Sequence, residues 1–124
     1  MMSFLPYSLT LYQPVPRSAR TLGSGAIFWV FESDTANFFR LAFVRVHFVG
    51  TGSLADLTIK LDSVAGEQWD VLLYTAADCG PGADLNLVMP NVLPWSFQPG
   101  DRLLFEWSGT ASGGWGIEVG YLEG

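Results

Sequence analysis

The sequence contains little of the side-chain chemistry on which most enzymes and metalloproteins depend. Its 124 residues include one cysteine, Cys79, and one histidine, His47. A single cysteine excludes an internal disulfide bond, and this pair cannot supply the ligands of an ordinary zinc site. We expect His47 to be a strand residue that faces solvent or a neighbouring strand, and Cys79 to be an unactivated thiol, because no basic residue is close to it in sequence. The sequence therefore predicts no catalytic residues, no metal and no other cofactor.

Basic residues are also few. Six lysines and arginines stand against twelve aspartates and glutamates, which gives a formal net charge of −6 and a pI near 4.4. This is the wrong sign for binding nucleic acid phosphates or an anionic membrane. No apolar run approaches the roughly 18 residues of a membrane span, and residues 1–7 lack a basic region followed by a long apolar one. We therefore expect no nucleic acid partner, no membrane insertion, no signal peptide, and synthesis in the cytoplasm.

Apolar and aromatic residues, by contrast, are abundant. Hydrophobic residues make up 49% of the chain and aromatic residues 15%. The length predicts one domain that can bury a real core. Prolines 6, 14 and 16 punctuate the first residues, which predicts an extended N-terminal arm over residues 1–24 and a folded domain over residues 25–124. Because the apolar content is high for a single soluble domain, we expect part of it to contact other molecules.

From residue 26 onward, runs of β-branched and aromatic residues recur between clusters of glycine, proline, asparagine and aspartate. Asp56–Asp62 alternates cleanly between apolar and polar residues, and Gln68–Thr75 follows it as a hairpin partner. The continuous apolar run Ala26–Phe31 predicts a strand buried on both faces. A change of phase predicts a bulge near Phe43 and Val44. We predict an all-β, antiparallel two-sheet sandwich of jelly-roll type with seven or eight strands.

Two acidic pairs could carry chemistry, but solvated surface charge explains both better. Glu106 and Glu118 lie on the last two predicted strands, which we expect to form a hairpin, so the two carboxylates could face each other as in a glycoside hydrolase. Asp78 and Asp84 flank a glycine-rich loop, although their spacing matches no EF-hand. Hydrolase activity and calcium binding are therefore minor alternatives.

Tryptophan provides a candidate carbohydrate site. Of five tryptophans, Trp29, Trp107 and Trp115 fall on inward or doubly buried positions of predicted strands. Trp69 and Trp95 are the two that we expect to be exposed, and an exposed ring can stack on a sugar. With Tyr74, they form a candidate carbohydrate-binding set: Trp69, Tyr74 and Trp95. A subunit interface is an equally good explanation of exposed tryptophan.

The C-terminal half resembles a known group of proteins. The resemblance covers about 65 residues, from Asp56 to Tyr121, and is carried by Leu57-Thr58-Ile59-Lys60-Leu61-Asp62-Ser63, Gly66, Trp69-Asp70-Val71-Leu72-Leu73, Pro99-Gly100-Asp101-Arg102-Leu103 and Trp115-Gly116-Ile117-Glu118-Val119. This order is similar to small jelly-roll proteins encoded beside capsid genes in tailed bacteriophages and gene transfer agents, which serve as head decorations, spikes or fibres.

The resemblance implies a non-enzymatic structural protein of a phage or phage-like particle, located in the virion. It implies a homo-oligomer, with a trimer favoured, in contact with other virion or capsid proteins. Six residues in the arm or on outward strand positions are candidate subunit contacts: Leu9, Leu11, Tyr12, Leu72, Leu104 and Leu122. The alternative function is a carbohydrate-binding module for a cell-surface glycan, and a head spike that binds host polysaccharide would combine the two.

Overall fold

A computed structural model describes residues 15–33, 37–89 and 95–123. These residues form a 3₁₀ turn at Glu67–Trp69 and nine β-strands, which are β1 (Val15–Gly23), β2 (Ile27–Glu32), β3 (Phe39–Phe48), β4 (Ala55–Asp62), β5 (Val71–Cys79), β6 (Leu85–Val88), β7 (Ser96–Phe97), β8 (Arg102–Trp107) and β9 (Trp115–Glu123). Over the same residues, no helix is long and apolar enough to cross a membrane.

The strands form two antiparallel sheets. Sheet A has the order β1-β9-β3-β6, with the short strand β7 also paired to β3, and sheet B has the order β2-β8-β4-β5. Most consecutive strands lie in different sheets, so the chain passes repeatedly from one sheet to the other, and the first and last described strands, β1 and β9, pair as neighbours. This strand order is that of a jelly roll, and the predicted all-β, two-sheet fold class is confirmed. The described residues contain nine strands, more than the predicted seven or eight, because the two-residue strand β7 adds to eight longer ones.

The core lies between the sheets and consists of alternate residues of nearly every long strand. Leu57 and Ile59 of β4 are fully buried, as the alternation of Asp56–Asp62 predicts. The predicted hairpin of this segment with β5 is also present. Fully buried side chains from the other strands are Val44, Leu103, Phe105 and Val119.

Two predictions about strand environment are wrong. The run Ala26–Phe31 is not buried on both faces, since only Ile27 and Phe31 are buried. The reason is that each strand of a two-sheet sandwich turns only one face to the core, so Phe28 and Val30 point outward from sheet B although their neighbours in sequence are apolar. The last two long strands do not form a hairpin either, because β8 belongs to sheet B and β9 to sheet A.

The bulge of β3 lies at Ala42, where the register with β9 shifts between Leu41 and Phe43. This is within two residues of the predicted position. Part of the expected N-terminal arm forms β1, which pairs along its whole length with β9. The remainder of that arm, residues 1–14 with the candidate contacts Leu9, Leu11 and Tyr12, lies outside the described residues.

One buried carboxylate organises the loops at an end of the sandwich. Asp101 is buried, and its two side-chain oxygens accept hydrogen bonds from the backbone N–H groups of Val64 at 2.8 Å and Gln98 at 2.9 Å. The turn before β8 is thereby tied to the turn after β4. Satisfying both oxygens with backbone donors offsets the cost of burying a charge.

Candidate functional site

The predicted carbohydrate-binding residues occupy two different environments. The rings of Tyr74 and Trp95 lie 6.4 Å apart at an angle of 58°, and both pack against the core. Tyr74 is opposite Ile59 on the inner side of sheet B, so this pair covers an edge of the sandwich. Trp69 lies in the 3₁₀ turn and is 64% exposed. Of the three rings, Trp69 therefore has the freest face for a ligand.

The outer face of sheet B carries a row of apolar residues. Strand register places Val30, Leu104, Lys60 and Leu72 side by side across all four strands. Leu72 is 57% exposed and Val30 is 37% exposed, while Leu104 is half-buried. Phe28, two residues from Val30 on the same face, is 69% exposed. Two of the predicted subunit contacts, Leu72 and Leu104, therefore lie in this row, on either side of Lys60.

Two ion pairs lie within or beside this row. The ammonium group of Lys60 lies 2.9 Å from a carboxylate oxygen of Glu106, and Arg102 pairs with Asp62. Both pairs are partly exposed, so each contributes little to stability. Lys60 stands within the row, while Glu106, Arg102 and Asp62 lie beside it. This face combines apolar side chains with charged groups, as many interaction surfaces do.

The outer face of sheet A has a trough where glycine replaces a side chain. Register places Gly116 between Leu22 of β1 and His47 of β3. A Cβ atom at Gly116 would meet only the carbonyl oxygen of Thr21, at 3.9 Å, so the space above it is open. The trough has a volume of about 660 Å³, and Glu118 and Arg45 also line it.

One carboxylate in the trough, that of Glu118, binds two arginines. Glu118 accepts a hydrogen bond from Nε of Arg20 at 2.9 Å and another from Nη1 of Arg45 at 3.2 Å. The guanidinium of Arg45 also lies 4.2 Å from the centre of the Phe43 ring, which is a cation–π arrangement. Arg20 comes from β1 and Arg45 from β3, and these strands lie on either side of β9, which carries Glu118. The three charges meet because β1 and β3 both pair with β9.

His47 and Asp84 form the rim of the trough nearest β6. Nδ1 of His47 lies 2.6 Å from Oδ2 of Asp84, and the other carboxylate oxygen accepts the backbone N–H of Phe48 at 3.0 Å. His47 is exposed, as the sequence predicts. Asp84 is thus used as a structural acceptor, and the described residues contain no group of three acidic, histidine or cysteine side chains that could hold a metal ion.

Cys79 is buried at the end of β5. Its backbone carbonyl accepts a hydrogen bond from the indole N–H of Trp107 at 2.8 Å, and its thiol lies 3.7 Å from the carbonyl oxygen of Ala76. Burial raises the pKa of the Cys79 thiol, and the negative charges of Asp56, Asp78 and Asp84 raise it further. The thiol is therefore held in its neutral, unreactive form, in agreement with the sequence interpretation.

The carboxylate pair considered for hydrolysis is separated by the fold. Glu106 lies on the outer face of sheet B and Glu118 on the outer face of sheet A. The sequence argument assumed that their strands pair, whereas the core lies between them. The hydrolase alternative therefore loses the arrangement on which it depended.

No protein-family model and no curated protein matches this sequence. The solved structures that are similar to it include two of one virus. One is the infectious bursal disease virus VP2 subviral particle, with a TM-score of 0.42, 16% identity, and coverage of 90% of this chain and 33% of that chain. The other is the infectious bursal disease virus Gx strain, with a TM-score of 0.39, 17% identity, and coverage of 87% of this chain and 31% of that chain. The chain thus spans about a third of the length of either solved chain.

Sequence reasoning missed the most exposed aromatic residue of sheet B and the shared carboxylate of sheet A. The run Ala26–Phe31 predicts burial on both faces, because a continuous apolar run contains no alternation that would show which residues point outward. Glu118 was correctly placed on an outward position, but its arginine partners could be found only from the strand order. The sequence shows that Arg17 and Arg20 are close together, but it contains no signal that pairs Arg20 with Glu118.

Proposed function

We propose that this chain is a non-enzymatic structural protein of a phage or phage-like particle, located in the virion, and that it assembles as an oligomer. The observation that supports this best is the apolar row on the outer face of sheet B. Phe28 and Val30 are exposed there on β2 beside Leu104 of β8, and Leu72 is exposed on β5, beyond Lys60 of β4. Exposed apolar side chains grouped on one face often mark an interaction site. The resemblance of residues 56–121 to small virion proteins supports the same function.

The contact residues on this surface are Val30, Leu72 and Leu104. Leu122, another predicted contact, is half-buried on the outer face of sheet A, between Pro16 and Arg40. The partners in this proposal are further copies of the chain and other virion or capsid proteins. A trimer is the stoichiometry implied by the resemblance, and a measured mass decides the number of copies.

A matched pair of substitutions tests the surface. Val30→Lys places a charge in the apolar row, whereas Val64→Lys makes the same change at an exposed valine in the loop after β4. Light scattering at micromolar concentration should show that Val64→Lys retains the oligomeric mass and that Val30→Lys shifts toward 13.6 kDa. Oligomers of equal mass and concentration dependence in both variants would exclude this surface from the assembly.

Glycan binding is a second candidate function, and the exposure of Trp69 is the observation that favours it. A ring with a free face can stack on a pyranose. Trp69→Ala should then abolish both glycan-array binding and the sugar-induced change in tryptophan fluorescence. Trp95→Phe keeps an aromatic ring against Tyr74 and the core, and it tests whether Trp95 also takes part in binding. Absence of binding by the unmodified chain to any glycan would remove this candidate.

A further inference from the structure

The two outer faces of the sandwich carry charges of opposite sign. The outer side of sheet A carries three arginines and two carboxylates, which are Arg20, Arg40, Arg45, Glu118 and, at the rim of the trough beside His47, Asp84. The strands of sheet B direct four carboxylates and two cations outward, which are Glu32, Asp56, Asp62, Glu106, Lys60 and Arg102. A chain with a net charge of −6 therefore has one face with an excess of positive charge. The outer face of sheet A is therefore complementary in charge to the outer face of sheet B of a second copy.

The trough described above lies on this same outer face of sheet A. The trough above Gly116 has a volume of about 660 Å³, a size typical of binding pockets, and exposed Leu22 forms one of its walls. Arg20 and Arg45 each use one nitrogen in hydrogen bonds to Glu118. A guanidinium carries five N–H donors, so both arginines retain donors for further carboxylates.

The acidic face has an exposed aromatic ring, Phe28. Phe28 is 69% exposed on the edge strand of sheet B. Register places Glu106 directly opposite Phe28, and Glu32 lies on the same face of the same strand. An exposed aromatic ring beside carboxylates fits a trough that combines an apolar wall with two guanidinium groups.

We propose that Phe28 of one copy occupies the Gly116 trough of a second copy, with Glu32 and Glu106 facing Arg20 and Arg45. This inference rests on the proposed assembly and specifies which surface the row on sheet B meets. The contact joins two different surfaces, so it is heterologous. Each copy then uses its Phe28 with one neighbour and its trough with another. The repeat closes into a ring, such as the trimer that the resemblance implies, when the rotation between copies closes.

Charge reversal in two separate variants tests this contact. The first variant carries Arg20→Glu with Arg45→Glu, and the second carries Glu32→Lys with Glu106→Lys. Alone, each variant opposes like charges, and self-association should weaken about tenfold or more. Mixed together, the variants present opposite charges again, and light scattering should show association between unlike copies. Circular dichroism before mixing verifies that both variants are folded.

Cysteine cross-linking tests the same contact without altering charge. Val30→Cys in one copy and Leu22→Cys in another place thiols beside Phe28 and the trough, and buried Cys79 leaves the unmodified chain unreactive. A mixture of these variants should form an intermolecular disulfide, whereas Val64→Cys mixed with Leu22→Cys should not. Disulfides between two Val30→Cys copies alone would overturn the inference, because they would show a symmetric contact.

The outcomes separate this inference from the proposed function. An unmodified chain that stays at 13.6 kDa at every concentration would contradict both. A stable oligomer that is insensitive to both charge reversals would leave the assembly standing and overturn the trough contact. Binding of an acidic oligosaccharide that is lost with Arg20→Glu and Arg45→Glu, with no change in mass, would overturn it in favour of a glycan site.

Discussion

The ring of Phe43 lies directly over Gly120 of the neighbouring strand, so close that a Cβ atom at position 120 would be 2.0 Å from the ring. The aromatic ring covers backbone that a glycine would otherwise leave exposed, which is a known way to stabilise glycine in a sheet. The same ring supports the guanidinium of Arg45 at 4.2 Å. Phe43 and Gly120 thus help to position one of the arginines of the trough.

Substituting Gly120 tests this relationship. Gly120→Ala should lower the free energy of unfolding by about 1 to 3 kcal/mol, because the added methyl group must displace the Phe43 ring. Urea denaturation measures the change. In a Phe43→Ala background the same substitution should cost much less, since the obstructing ring is gone. Equal costs in the two backgrounds would show that the ring does not determine the need for glycine.

Removing the buried carboxylate of Asp101 should destabilise the fold. Asp101→Ala leaves the backbone N–H groups of Val64 and Gln98 without their acceptor, which should cost about 1 to 3 kcal/mol. Asp101→Asn keeps one carbonyl acceptor and should cost less. Thermal unfolding compares both variants with Glu67→Gln, a change at an exposed acidic residue of the 3₁₀ turn. A control that lowers the melting temperature as much as Asp101→Ala would contradict this role.

The Cys79 thiol should be protected in the folded protein. Its pKa is raised above the ordinary value of 9.0, first by burial and then by three nearby aspartates. An aromatic disulfide reagent at neutral pH should modify it slowly in the folded state and rapidly in urea. Modification at the same rate in both conditions would show that the thiol is accessible.

The same shift predicts a dependence of stability on pH. Since the pKa in the folded state exceeds that in the unfolded state, the contribution of the thiol is fully present below pH 9.0 and is lost as the pH rises through the folded-state pKa. Alkaline titration of the melting temperature measures this loss. It should be smaller in Cys79→Ala than in the unmodified chain, and identical titrations would contradict the assignment.

Local patterns predicted the strands well wherever apolar and polar residues alternate in the sequence. The alternation of Leu57 and Ile59 identified the inner side of β4, and the change of phase near Phe43 located a bulge. The errors arose where alternation is absent or where the environment depends on strand order. Phe28 is exposed because it points outward from sheet B, opposite Glu106, although it stands in an unbroken apolar run. Similarly, Glu106 and Glu118 are close in sequence yet lie on opposite faces, because their strands belong to different sheets.

The candidate site was harder to predict for the same reason. Leu72 and Leu104 were identified as outward residues by parity, but only the register shows that they share a row with Val30. The trough needs Leu22, Gly116 and His47 from three strands that are far apart in sequence. Its glycine was one of 14 in the chain, and no local pattern separates it from the others.

The central claim is that copies of this chain assemble through their outer sheet faces, and the mass of the unmodified chain in solution tests it most directly. Sedimentation equilibrium across the micromolar range should show a mass that rises with concentration above the 13.6 kDa of one copy. A single species of 13.6 kDa at every concentration would contradict the account.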